Sequence, residues 1–278
     1  DAEMDERYAA GGVGLQTAGA LMRVESIKVT EQRDALPVVK LFAPQDTGTK
    51  AAVAPTLVQV MSSQTALEKS GASNALFGLD SSLTLKGAGG ESIGSLLDYV
   101  SQAEVLAIPV LRIENEATVT ALSRFVEKYG YTDITLLSSN VELLAQARKA
   151  MPLVRAAVDF SASNLTASTA DVLKVVAQTN RAKAKIAVLP AAMSTQSAVA
   201  HMQRLLITPW AAVGATAATP EQVAQVLLTG VNGVVTSHSQ AYAKVLQKLP
   251  ANTLLRKPLI IGHRGTPSWK DENTLESA

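Results

Sequence analysis

Beyond residue 103 the chain alternates short apolar runs with segments of helical length, and no other feature restricts its fold as much. The runs at 105–113, 134–137, 156–160, 186–189, 210–213 and 231–236 are dominated by Val, Ile, Leu and Ala on successive positions, as strands buried on both faces are. Helix punctuation falls between them. Asn140 precedes Leu143, Leu144 and Ala147 on one face, Thr219-Pro220 has Gln222 at the capping-box position, and Gly130 and Gly230 follow helix ends. Repeated βα units require a parallel sheet. Upstream, 24–29 and 37–42 read as a strand and its hairpin-like partner. Residues 43–100 read as an irregular insertion with a helix near 93–100 and the loop Gly87-Ala88-Gly89-Gly90. That glycine cluster follows no strand and opens no helix, so it reads as a plain loop rather than a dinucleotide fingerprint.

Six strands with 24–29 make seven, one short of the eight that close a barrel around a packed centre. Pro258 to Ile261 is the candidate for the missing one. As first strand, between 231–236 and 24–29, it would close the ring and leave no edge exposed. The expected fold is an α/β (β/α)8 TIM barrel, one domain over residues 1–278, with an insertion at about 43–100 and a C-terminal segment 257–278.

Composition narrows the function classes. The 25 basic and 24 acidic residues are scattered without long blocks, which gives no electrostatic footprint for nucleic acid or an acidic membrane. The absence of cysteine removes disulfides, thiolate zinc sites and cysteine nucleophiles. No apolar run is long enough to span a bilayer, and the first residues do not have the pattern of a signal peptide.

One stretch carries chemistry. The apolar run from Pro258 leads directly into His263, Arg264 and Gly265, and Glu272, Asn273 and Thr274 follow. An imidazole that titrates near neutral pH, a guanidinium that grips phosphate and a glycine that lets the backbone turn stand together at a strand end. This string resembles the opening motif of the glycerophosphodiester phosphodiesterase family, which are (β/α)8 barrels. The family opens on the motif, whereas here it stands at the C-terminal end. The likeness continues elsewhere. The family's Glu-x-Asp-Val-x-x-Thr strand and its Pro-Val-Val-x-His-Asp turn are matched in frame by Val24 to Thr30 and Pro37 to Phe42, and 230–236 resembles its last strand.

The resemblance implies hydrolysis of a glycerophosphodiester to glycerol phosphate and an alcohol, with a divalent ion (Ca or Mg) held by carboxylates and two histidines moving protons. The matching positions here do not supply that set. The family's Glu and Asp fall on Val24 and Ser26, its second histidine on Leu41, and its Glu-x-Lys strand on Arg112-Ile113-Glu114 with both charges exchanged. Hard cations need several oxygen ligands, and an arginine in a ligand position repels them. An Arg112–Glu114 ion pair in a vestigial site, with Glu272 as a leftover, is the expectation. The catalytic and phosphate-binding candidates are therefore His263 and Arg264, without their partners, and no metal ligand is assigned.

The remaining residues have plainer readings. His201, beside Met202 and Leu205 on a helix, reads as packing or surface. His238, between Ser237 and Ser239, reads as solvated, and Trp210 and Trp269 read as packing.

The expected function is a non-catalytic or accessory barrel, with no cofactor, in a larger phosphodiesterase-related protein. The alternatives are an active metal-dependent phosphodiesterase and a structural assembly module. The tail stops inside what reads as a young helix, so the chain is expected to be a piece of something longer. A phosphate or glycerophosphodiester ligand, self-association or a second domain are the expected partners, and the location is secreted or cell-surface, with a cytoplasmic one as the alternative. The tail either folds back into this barrel or begins a following catalytic domain, and the strand count favours folding back.

Overall fold

The structure is a computed structural model that describes residues 23–28, 48–102, 107–214 and 219–258. The chain divides into two units, Asp1–Pro37 and Val38–Ala278. In the first, residues 23–28 form no strand and are exposed. The strand expected at 24–29 is thus absent from its described part, and the run at 37–42 lies outside the described residues.

The second unit is a closed barrel. Its elements in order are β1 (Thr56–Val60), β2 (Asn74–Leu79), β3 (Thr84–Lys86), β4 (Ser92–Ser95), α1 (Leu96–Val100), β5 (Ile108–Arg112), α2 (Glu116–Tyr129), β6 (Thr135–Ser138) and α3 (Val141–Ala150). There follow β7 (Arg155–Asp159), α4 (Thr169–Arg181), β8 (Ile186–Leu189), α5 (Gln196–Arg204), β9 (Thr208–Ala212), α6 (Pro220–Leu228), β10 (Gly233–Thr236) and α7 (Ser239–Lys248). All but β3 and β4 run parallel, and β1 pairs with β10 on one side and β2 on the other, which closes an eight-stranded ring. The TIM barrel expected from the alternation is present.

Its first strand is not Pro258 to Ile261. The place between the last and second strands is held by β1, with Leu57 opposite Val234 and Val58 opposite Asn74. Of the proposed segment only Pro258 is described, and it is in no strand. The first two barrel strands instead come from the stretch read as an insertion. They escape the alternation because β1 reaches β2 through a connection whose only helix is the 3-10 turn Gln64–Leu67. In addition, β2 continues into the antiparallel β3–β4 excursion before the five-residue α1.

Alternate residues fill the ring. Val58, Leu76, Val110, Leu137, Trp210 and Val235 meet in its centre, while their strand neighbours Leu57, Phe77, Leu111 and Val234 pack outward. Helix ends form as their sequences require. Asn140 Oδ1 accepts from Leu143 N, Thr219 and Gln222 form a reciprocal capping box, and Gly130 takes the left-handed conformation at φ 63°.

Candidate active site at the barrel mouth

Parallel strands present their C-terminal ends on one face, where barrels carry their chemistry. Arg112 ends β5 on the same face as Val110, and Asp159 ends β7 on the same face as Ala157, so both side chains stand at the mouth. They meet across β6, with Arg112 Nη2 3.1 Å from Asp159 Oδ2. The Asp159 side chain is 11% exposed, and its other oxygen accepts from Ser161 N at 3.0 Å. Arginine at the mouth therefore does form an ion pair, but its partner is Asp159 rather than Glu114, which is exposed just past the strand.

A cleft of about 430 Å³ opens beside this pair, lined among others by Val60, Gly78, Asp80, Lys86, Arg112 and Glu114. Of its carboxylates, Asp80 is occupied by its own turn. Oδ1 accepts from Ser82 Oγ at 2.7 Å, Thr84 N at 2.9 Å and Ser82 N at 3.0 Å, while Lys86 Nζ lies 3.4 Å from Oδ2. The Ser82 hydroxyl above all holds the Asp80 carboxyl below its ordinary value near 3.8, with the Thr84 and Ser82 amides and Lys86 acting the same way against some desolvation. A depressed folded-state pKa contributes stability that is complete above the ordinary value and is lost as pH falls through the folded one. Asp80→Asn should therefore lower the melting temperature at neutral pH, and the gap from the parent should close below about pH 3.8. Melting curves across that range check it, and a gap indifferent to pH would refute the assignment.

These residues do not suit the divalent ion that the resemblance implies. Asp80 and Asp159 each face a cation of the chain and one or more backbone amides, and the Arg112 guanidinium stands at the mouth, where it would repel a cation, while Glu114 is exposed past the strand. Among the described residues no three His, Asp or Glu side chains are grouped to hold a metal.

The other sequence candidates lie elsewhere. Val24 and Ser26, expected on the second barrel strand, are on no strand; the end of that strand carries Gly78, followed by Asp80. With Thr84, these two keep the spacing of the Glu-x-Asp…Thr motif, and glycine replaces its glutamate. Leu41, His263, Arg264, Glu272 and Trp269 lie outside the described residues. Trp210 is buried in the barrel centre, His201 is half-buried on α5, and His238 precedes α7 with Nδ1 3.0 Å from Ser237 Oγ. Sequence reading missed Asp159 and Asp80. Asp159 had a usable signal, as a lone acid closing the apolar run 156–158 at a strand's C-terminal end.

No family model matches the chain, and no curated protein matches it. Solved structures do. A protein named as a glycerophosphodiester phosphodiesterase from Galdieria sulphuraria superposes with TM-score 0.56 at 13% identity, over 70% of this chain and 98% of that one. A phosphodiesterase from Oleispira antarctica, in complex with the product sn-glycerol-3-phosphate, superposes with TM-score 0.53 at 10% identity, over 70% of this chain and 98% of that one. N-(5'-phosphoribosyl)anthranilate isomerase from Pyrococcus furiosus reaches 0.50 at 12%, over 70% and 100%. Identities this low establish architecture, and one architecture serves both a hydrolase and an isomerase. The chain folds as a (β/α)8 barrel like that of the glycerophosphodiester phosphodiesterases.

Proposed function

We propose that the described barrel is a phosphodiesterase-like domain without phosphodiesterase activity, accessory to a catalytic barrel of the same kind. The observation that supports this reading is the Arg112–Asp159 pair, a cation of the chain and its counter-charge at the barrel mouth, where the resemblance implies a metal site. A lone histidine without a second proton carrier or a metal cage does not turn over a phosphodiester. His263 and Arg264 fit the same reading. With the ring closed by β1, the run leading into them has no vacancy to fill in this barrel, and it resembles the opening strand of another. A secreted or cell-surface location is part of the proposal, as is a phosphate-bearing ligand held without turnover near Arg112 and Lys86.

The test is release of glycerol phosphate from glycerophosphocholine by residues 1–278 with calcium or magnesium in excess. The expected rate is that of buffer. Saturable, metal-dependent release that His263→Ala abolishes would overturn the proposal.

A further inference from the structure

The near-zero net charge conceals a gathering of cations that only the fold creates. In a parallel barrel the loops after the helices all lie on the face opposite the mouth. The loops after α3, α4, α5, α6 and α7, at 151–154, 182–185, 205–207, 229–232 and 249–258, contain no acidic residue, and the one acid of the loop after α2, Asp133, is paired with Arg155 at the start of β7. Exposed Lys183, Lys185 and Lys257 lie in them, with Lys149 and Arg204 in the helical turns just before. Cations at helix C-termini offset the helix dipole, which accounts for Lys149 and Arg204. It does not account for the leucines. Leu153 is 77% exposed, Leu228 67%, Leu206 60% and Leu254 59%, all on this face.

Direct bonds tie neighbouring loops together. Arg148 Nε donates to Lys183 O at 3.1 Å, joining the loops after α3 and α4. Gln203 Nε2 donates to Gly230 O at 2.8 Å, joining those after α5 and α6, and Gly230 packs against Arg256. Two of these exposed side chains occupy strained positions. Lys183 and Leu206 take φ 54° and 59°, the left-handed conformation that glycine adopts without penalty at a helix end. Glycine would adopt these turns without that strain.

We propose that this face docks on an anionic lipid surface, with the leucines entering the acyl boundary and the lysines and arginine lying at the phosphate level. Cations surrounding separate apolar points on tight turns suit a bilayer, because long basic side chains reach the headgroups while their neighbours enter. The core of a protein interface is instead depleted of lysine.

Sedimentation of the whole chain with vesicles of phosphatidylcholine alone, or of equal parts phosphatidylcholine and phosphatidylglycerol, tests this. Binding is expected to the anionic vesicles alone and to weaken with salt. Lys183→Glu with Lys185→Glu should reduce it about tenfold or more. Leu206→Gly with Leu228→Ser should reduce it by about tenfold without lowering the melting temperature, since the first change relieves a strained backbone. Three results would overturn the proposal: no binding to anionic vesicles, binding that neither pair of substitutions weakens, or substitutions that change the oligomeric state of the free chain while vesicle binding persists. The last would make the face a contact between protein molecules.

Discussion

Gly233→Ala is expected to destabilise the barrel by about 3 kcal/mol, the upper end of what one added methyl costs in a well-packed core. Gly233 opens β10 opposite Trp210 on β9. A Cβ built on it would stand 2.4 Å from Trp210 Cδ1 and 2.6 Å from Nε1, inside the indole rather than against it. The indole cannot retreat, since it is 5% exposed and packs in the barrel centre with Val58, Val188 and Val235. A loss of this size should lower the melting temperature by about 6–12 °C in a domain this large. The cause can be isolated, because in a Trp210→Val background the same change should cost much less. The coupling between the two sites in a double-mutant cycle is the measurement. Costs that simply add would show that the glycine serves some other purpose.

The same pair shows what the sequence could disclose. Six barrel strands between 105 and 236 were legible because each is apolar on both faces and lies between capped helices, a local pattern. β1 and β2 carry equally apolar residues, with Leu57, Val58, Ala75 and Phe77 all buried, but no full helix follows either one. Read for strand–helix alternation, they vanish into an apparent insertion. The count of seven then assigns the vacancy to Pro258–Ile261, and the run at 24–29, whose described residues 24–28 are exposed and in no strand, reads as a strand. The site was legible to a similar depth. The resemblance puts Arg112 in the site, whereas the partner it suggests, Glu114, is not the one that pairs, because Asp159 reaches Arg112 across an intervening strand. The gathering of cations on the face opposite the mouth is likewise invisible in a chain of 25 basic and 24 acidic residues, because the loops that share a face are far apart in sequence.

If β1 closes the ring, Gln59→Leu should cost about 2–4 kcal/mol, although leucine fills nearly the same volume and glutamine is usually a surface residue. Gln59 alternates with Val58 and Val60, which face the centre, so its amide points outward toward the start of α7 and is 4% exposed. There it joins both ends of the barrel sequence. Nε2 donates to Val60 O at 2.9 Å and to Ser237 O at 3.0 Å, while Oε1 accepts from Ser239 Oγ at 2.5 Å and Ser239 N at 3.3 Å. Leucine would leave the buried Ser239 N–H without this partner, which costs about 1–3 kcal/mol, and would take a part-buried bond from the Ser237 carbonyl. Ser239→Ala should cost less than Gln59→Leu, because glutamine would keep its bonds to the Ser239 amide and the two carbonyls. The Ser239 hydroxyl also lies 3.1 Å from Ser70 O, so it tethers the β1–β2 connection to α7, and the two substitutions should be strongly coupled. Chemical denaturation of the three variants measures these effects. Had another segment closed the ring, 56–60 would belong to a peripheral insertion and Gln59→Leu would be neutral; a cost below about 0.5 kcal/mol, the range of ordinary surface changes, would therefore count against the topology itself.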